Sequence, residues 1–185
     1  MNGPSSARIG FGPRLAAFVI DSFIVALLSS LVMSQLMGDV FQNFISGRLT
    51  EALLNGGLMT GSPPGDAAAQ IQRVSTFIAY FSALYMMIEA FLGATPGKML
   101  LGLKVGDDQG RAGDIWLYFP RYLLKNGSVL LDLVGRTIGF AFIQSLGGLL
   151  GMVIFFGCFL VLGPRRQAVH DLLARTAVYR RDGLA

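Results

Sequence analysis

The chain has one cysteine, Cys158, and one histidine, His170, in 185 residues. A single cysteine excludes an internal disulfide and a cysteine-built metal cluster. A single histidine excludes a multi-histidine metal or haem site, so no metal and no cofactor is expected. Charge is scarce as well: 14% of the residues are Asp, Glu, Lys or Arg, against roughly 25% in an ordinary soluble domain. That leaves too few charges to cover the surface of a soluble domain. No serine, threonine or cysteine stands with a base and an orienting group, so the chain does not read as an enzyme. The segment 93–98 ends in Gly-Lys but lacks the G-x-x-x-x-G-K-[ST] spacing and a preceding strand, which argues against a nucleotide site.

What is present is apolar: 53% of the residues are hydrophobic and the mean hydropathy is +0.58. A disordered chain would be polar and highly charged instead. The net charge is +4. In so apolar a chain the basic surplus points to loops facing anionic lipid headgroups rather than to nucleic acid. The length suits one domain, residues 1–185.

Three runs approach the roughly 20 residues that cross a bilayer as a helix. Residues 15–37 carry a single charge, Asp21; residues 74–92 carry only Glu89; residues 137–162 carry none. The first run is longer than the roughly 7–15 apolar residues of a signal peptide and is read as a retained span. Residues 115–134 are ambiguous. They hold Arg121, Lys125 and Asp132, with Pro120 and Gly127 as helix breakers. They read either as a crossing or as an amphipathic helix in the interface with Trp116, Tyr118 and Tyr122 at headgroup level.

Loop charge sets the expected orientation. Residues 1–14 hold Arg8 and Arg14 with no acid, and the tail 163–185 holds Arg165, Arg166, Arg175, Arg180 and Arg181 against Asp171 and Asp182. Loop 38–73 holds two basic and three acidic residues. Positive segments stay cytoplasmic, so both termini are expected inside and loop 38–73 outside, which requires an even number of crossings. The expected fold is an all-α membrane protein: a four-crossing helix bundle, with three spans plus an interfacial helix as the alternative. Residues 39–56 carry a helical apolar stripe suited to the outer membrane surface. Residues 101–105 and 176–179 read as short strands that pair into a small cytoplasmic cap.

Three pieces fall in order along this scaffold. Arg14-Leu-Ala-Ala-Phe-Val-Ile-Asp21 opens the first span, Gly93-Ala-Thr-Pro-Gly-Lys98 follows the second, and His170-Asp171-Leu-Leu-Ala-Arg-Thr176 precedes the C-terminus. The chain resembles the RDD family of small bacterial membrane proteins, with Arg14, Asp21 and Asp171 at the positions of the arginine and two aspartates. The resemblance runs from about residue 8 to residue 180. It implies a multi-pass protein of the bacterial inner membrane. It also implies transport of unidentified ligands or, as in some members, cation–proton exchange.

Asp21 is the sharpest feature. It lies about 9 Å into the first span at ~1.5 Å per residue, where an ionised carboxylate costs at least ~2.5 kcal/mol. It must be paired, protonated or wetted. Arg14, another basic residue, or Glu89 through a shared proton are its expected partners; locking helix packing is the structural alternative to transport. Glu89 is expected in the same half of the membrane, sharing a proton there or reaching the interface. Lys98 is expected to anchor to lipid headgroups, and His170 either to handle protons with Asp171, since histidine titrates near neutral pH, or to staple locally to it. Gly147 and Gly151, four apart, permit close helix approach, either within the chain or to a partner. Two functions follow as expectations: a small transporter or exchange component working as a homo-oligomer, or a non-catalytic accessory subunit that stabilises a larger membrane complex.

Overall fold

The computed structural model describes residues 8–36, 38 and 65–184. Contacts divide the chain into two compact units, residues 1–23 with 82–185 and residues 24–81. The stripe expected over residues 39–56 lies outside the described residues.

The described elements run α1 (Phe11–Leu36), α2 (Gly65–Leu92), α3 (Pro96–Leu100), β1 (Leu103–Asp107), α4 (Ile115–Ile138), α5 (Ala141–Cys158), α6 (Val169–Leu173) and β2 (Thr176–Arg180). Among the described residues, three stretches are long and apolar enough to cross a membrane: Phe11–Gln35, Ile71–Leu92 and Ala141–Leu162. Along α1 the buried positions are Ala17, Asp21, Val25, Ser29 and Met33, four apart, while Phe18, Phe23, Leu27 and Leu31 are exposed. That is one helical stripe facing protein and a wide apolar face left for lipid.

The boundaries of the long helices depart from the expected ones in three places. The first helix starts at Phe11 rather than residue 15. Residues 65–73, expected in the loop, already belong to α2. The run 137–162 is broken: Gly139 adopts a left-handed φ of 70° and caps α4, so residues 137 and 138 end that helix and α5 begins at Ala141. Only glycine takes that conformation without strain.

The ambiguous segment is a continuous helix. Asp114 caps α4 by accepting from the N–H groups of Trp116 and Leu117, and the helix continues through Pro120, in its second turn, at the loss of one i→i−4 donor. α4 is as long as the apolar helices but carries Arg121, Lys125, Asp132 and Arg136. It packs along α5 in the opposite direction: Gly127 lies against Leu150, Ser128 against Gly147 and Gly151, and Gly135 against Gln144. Gly147 and Gly151 therefore serve packing within the chain, against Ser128.

Strands β1 and β2 form an antiparallel pair with Leu103 opposite Arg180, Val105 opposite Val178 and Asp107 opposite Thr176. The N-terminal segment joins them: Arg8 bridges to Tyr179, and Ile9 N donates to the Val178 carbonyl at 2.8 Å. Ala17, Leu103, Val105, Tyr118 and Val178 form a buried apolar cluster there, backed by Ile9 and Leu117. The start of α1, the segment after α2, the start of α4 and the tail thus converge on one layer.

Candidate functional site

Asp21 is 3% exposed. Its Oδ1 accepts from the Tyr85 hydroxyl at 2.7 Å and from the Gly97 N–H at 2.7 Å, and its Oδ2 accepts from the Thr95 hydroxyl at 2.5 Å. The local sequence makes this possible. Gly93, at a φ of +69°, ends α2, and Thr95 caps α3 with Pro96 behind it. The turn then presents a hydroxyl and a backbone N–H to α1. Gly97 must be glycine for this approach: a methyl group there would stand 2.5 Å from the Ala17 carbonyl oxygen and 2.8 Å from the Asp21 carboxylate.

Glu89 lies three residues from the end of α2 and is 1% exposed. Its Oε1 pairs with both Lys98 Nζ and Arg121 Nη1, and its Oε2 accepts from Lys125 Nζ at 2.7 Å. Arg121 bridges onward to Asp171 Oδ1, with Nε at 2.9 Å and Nη2 at 2.8 Å. The other oxygen of Asp171 pairs with Arg14 Nη1 at 2.5 Å and accepts from the Ala168 N–H at 3.2 Å, which fixes the first turn of α6. Arg14 also donates to the carbonyls of Ile9 and Arg166. Five elements are joined by one chain of ion pairs: α1 through Arg14, α2 through Glu89, α3 through Lys98, α4 through Arg121 and Lys125, and α6 through Asp171.

Burial and the neighbouring charges set the ionisation of the groups outside the apolar spans. Burial raises the Asp171 carboxyl, but Arg121 and Arg14 outweigh it and hold it well below the usual carboxylate range. His170 Nε2 stands 3.5 Å from Asp171 Oδ1, and its buried Nδ1 has no hydrogen-bond partner. Burial and then Arg121 draw its pKa down to about 3, against the pull of Asp171. Burial draws the Lys98 ammonium down to about 7, with Glu89 opposing and Lys125 and Arg121 reinforcing.

Several expectations change here. Asp21 is met by neutral donors, not by Arg14 or Glu89, because Asp171 and two carbonyls hold Arg14 elsewhere. Glu89 neither reaches the interface nor shares a proton with Asp21; it has three cations of its own. Lys98 is buried on Glu89 rather than anchored to headgroups. Arg121, Lys125, Tyr85, Thr95 and Gly97 are not among the site residues expected from the sequence. For Arg121 and Lys125 a signal existed, two cations four apart on one helix face of an apolar segment, but it was taken as a mark of interfacial exposure.

Arg14 on α1, Asp21 seven residues further along it and Asp171 of α6 stand in the order and at the positions of one family. The RDD family profile matches residues 8–175. The chain belongs to the RDD family. No curated protein and no solved structure matches it. Family and apolar helices together make this RDD protein a multi-pass integral membrane protein.

Proposed function

We propose that this RDD protein is a non-catalytic component of the bacterial inner membrane that packs against a larger membrane complex and stabilises it. One observation carries the reading: Asp21, Glu89 and Asp171 are each saturated by donors of the chain itself. A transported cation would have to displace an arginine, a lysine or three neutral donors, each a loss of several kcal/mol of buried interaction. The broad exposed apolar faces of α1 and α5 suit lipid and neighbouring helices.

Both termini are assigned to the cytoplasmic side. Residues 8–14, 93–114 and 165–181 converge on one layer, and the terminal segments carry the basic excess. The antiparallel α4–α5 pair leaves that layer and returns to it, in keeping with an even number of crossings.

A second reading, cation–proton exchange, is favoured by Lys98, a buried ammonium whose pKa lies near neutrality beside a carboxylate. Mild-detergent purification of the full chain separates the two. A stoichiometric partner supports the accessory reading. A symmetric homo-oligomer with exchange in inside-out vesicles overturns it. In Asp21→Asn the accessory reading expects lower abundance, from the weakened buried pairings, with vesicle exchange unchanged. Loss of exchange at normal abundance would reverse the choice.

A further inference from the structure

The charges around Glu89 and Asp171 do not balance. Two carboxylates, 1% and 0% exposed, face four cations: Arg14, Lys98, Arg121 and Lys125. Asp21, the remaining buried carboxylate of this region, is paired with none of these cations, so even with Lys98 deprotonated three cations stand against two carboxylates. Its oxygens are already engaged by Tyr85, Thr95 and Gly97. His170 is buried beside Asp171 and supplies no negative charge. Buried charges are paired because an unpaired one loses its hydration with nothing in return.

The surplus can be located. Arg14 and Arg121 each spend several donors inside the cluster, and Lys98 is enclosed. Lys125 differs: 24% of its side chain is exposed, against 2% for Arg121 and 9% for Lys98. Its ammonium has three N–H donors, one of them directed to Glu89 Oε2. Unspent donors and surplus charge therefore coincide at the most exposed side chain of the cluster, ahead of Arg14 at 12%. The depth also fits an interfacial ligand. Glu89 lies three residues, ~4.5 Å at ~1.5 Å per residue, inside the end of α2, and lysine stems carry their charge toward the interface.

We propose that Lys125 Nζ is an oxyanion site that takes a phosphate group, from a phospholipid headgroup or from free phosphate, and that this anion completes the charge balance of the buried cluster. Lys98 fits the same account. Glu89 faces it from α2, and Arg121 and Lys125 from α4; the two cations and burial together lower its proton affinity. An anion on Lys125 would return that proton. The proposal stands on the charge count and on the exposure of Lys125, and holds under either reading of the function.

The test uses the full chain in nanodiscs at constant ionic strength: phosphatidylcholine alone, phosphatidylcholine with phosphatidylglycerol, and phosphatidylcholine with inorganic phosphate in place of chloride. The expected result is a higher Tm with an anion, kept in Lys125→Arg and lost in Lys125→Gln. Exposed Arg180→Gln should keep the rise. A rise with phosphatidylglycerol only assigns a headgroup, and a rise with inorganic phosphate assigns the free anion. No rise in either arm, or an equal rise in Lys125→Gln, overturns the site. If Lys125→Gln does not fold, the wild type still decides. With Lys98, Lys104 and Lys125 its only lysines, 15N-lysine labelling should give a 31P–15N dipolar coupling to one ammonium; its absence with both anions ends the proposal.

Discussion

Glu89 shows how one residue can hold a layer together while being the most costly to change. Three cations depend on it, and Arg121, 2% exposed, has nowhere to go. Removing the charge in Glu89→Gln strands them, and breaking a buried pair in this way costs ~3–5 kcal/mol. The expected result is little monodisperse protein by fluorescence-detected size exclusion; a wild-type profile would refute the lock. Lys98 gives the opposite expectation. Its folded pKa of about 7 lies below its ordinary 10.5, so between those values the unfolded chain binds the extra proton and stability rises with pH. The detergent-solubilised protein should gain Tm from about pH 7 upward toward 10.5. Lys98→Met should flatten the rise and still fold, because Arg121 and Lys125 remain on Glu89. At this scale the carboxylates were legible in the sequence, since a charge inside an apolar run must be accounted for. Their partners were not. The Tyr85 and Thr95 hydroxyls and the Gly97 N–H carry no signal until the turn after α2 places them against α1.

Helix α4 was the least legible element, and its own sequence explains why. Its charges look like those of an interfacial helix when read alone, yet Lys125 and Arg121 are partnered by α2 and α6, contacts far away in sequence. Its end was misread because Gly139 lies inside an uninterrupted apolar run and only backbone geometry marks it as a cap. The short strands and the apolar helices were legible from composition and periodicity; β1 is shifted by two residues because Leu101, the cap of α3, and Gly102 form a turn at the start of the expected strand. The α4–α5 contact separates two glycines that the sequence treats alike. A methyl group at Gly147 would lie 2.8 Å from the Ser128 carbonyl oxygen and 2.9 Å from Asp132 N, whereas at Gly151 it would meet Ser128 Cβ at 3.4 Å. Gly147→Ala must push the helices apart and should cost ~1–3 kcal/mol. Gly151→Ala meets ordinary contact and gains helix propensity of ~1 kcal/mol, so its Tm should equal or exceed wild type. Equal losses at both positions would show that the helices do not pack in this register.

For the whole molecule the decisive question is how α4 and α5 cross. Gly157 lies against Val169 of the tail, so the end of α5 has returned to the layer where Arg121 meets Asp171. Beyond Arg121, residues 121–138 run beside α5, a length of ~27 Å at ~1.5 Å per residue, against ~30 Å of bilayer hydrocarbon. That is enough for a crossing with slight local thinning, and the charges along it are partnered: Lys125 by Glu89, and Arg136 by Asp132 at 2.6 Å. The turn at Gly139 and Phe140, with Phe140 exposed, is therefore expected at the outer face. In a Cys158→Ser background, Phe140→Cys should react with a membrane-impermeant maleimide added outside intact cells, while compartment-sensitive reporters fused to either terminus should both report cytoplasm. Labelling only after the membrane is opened, with both termini inside, would make α4 and α5 a re-entrant pair. Reporters on opposite sides would overturn the shared layer itself, because Arg14 on α1 and Asp171 in the tail could then not be one ion pair.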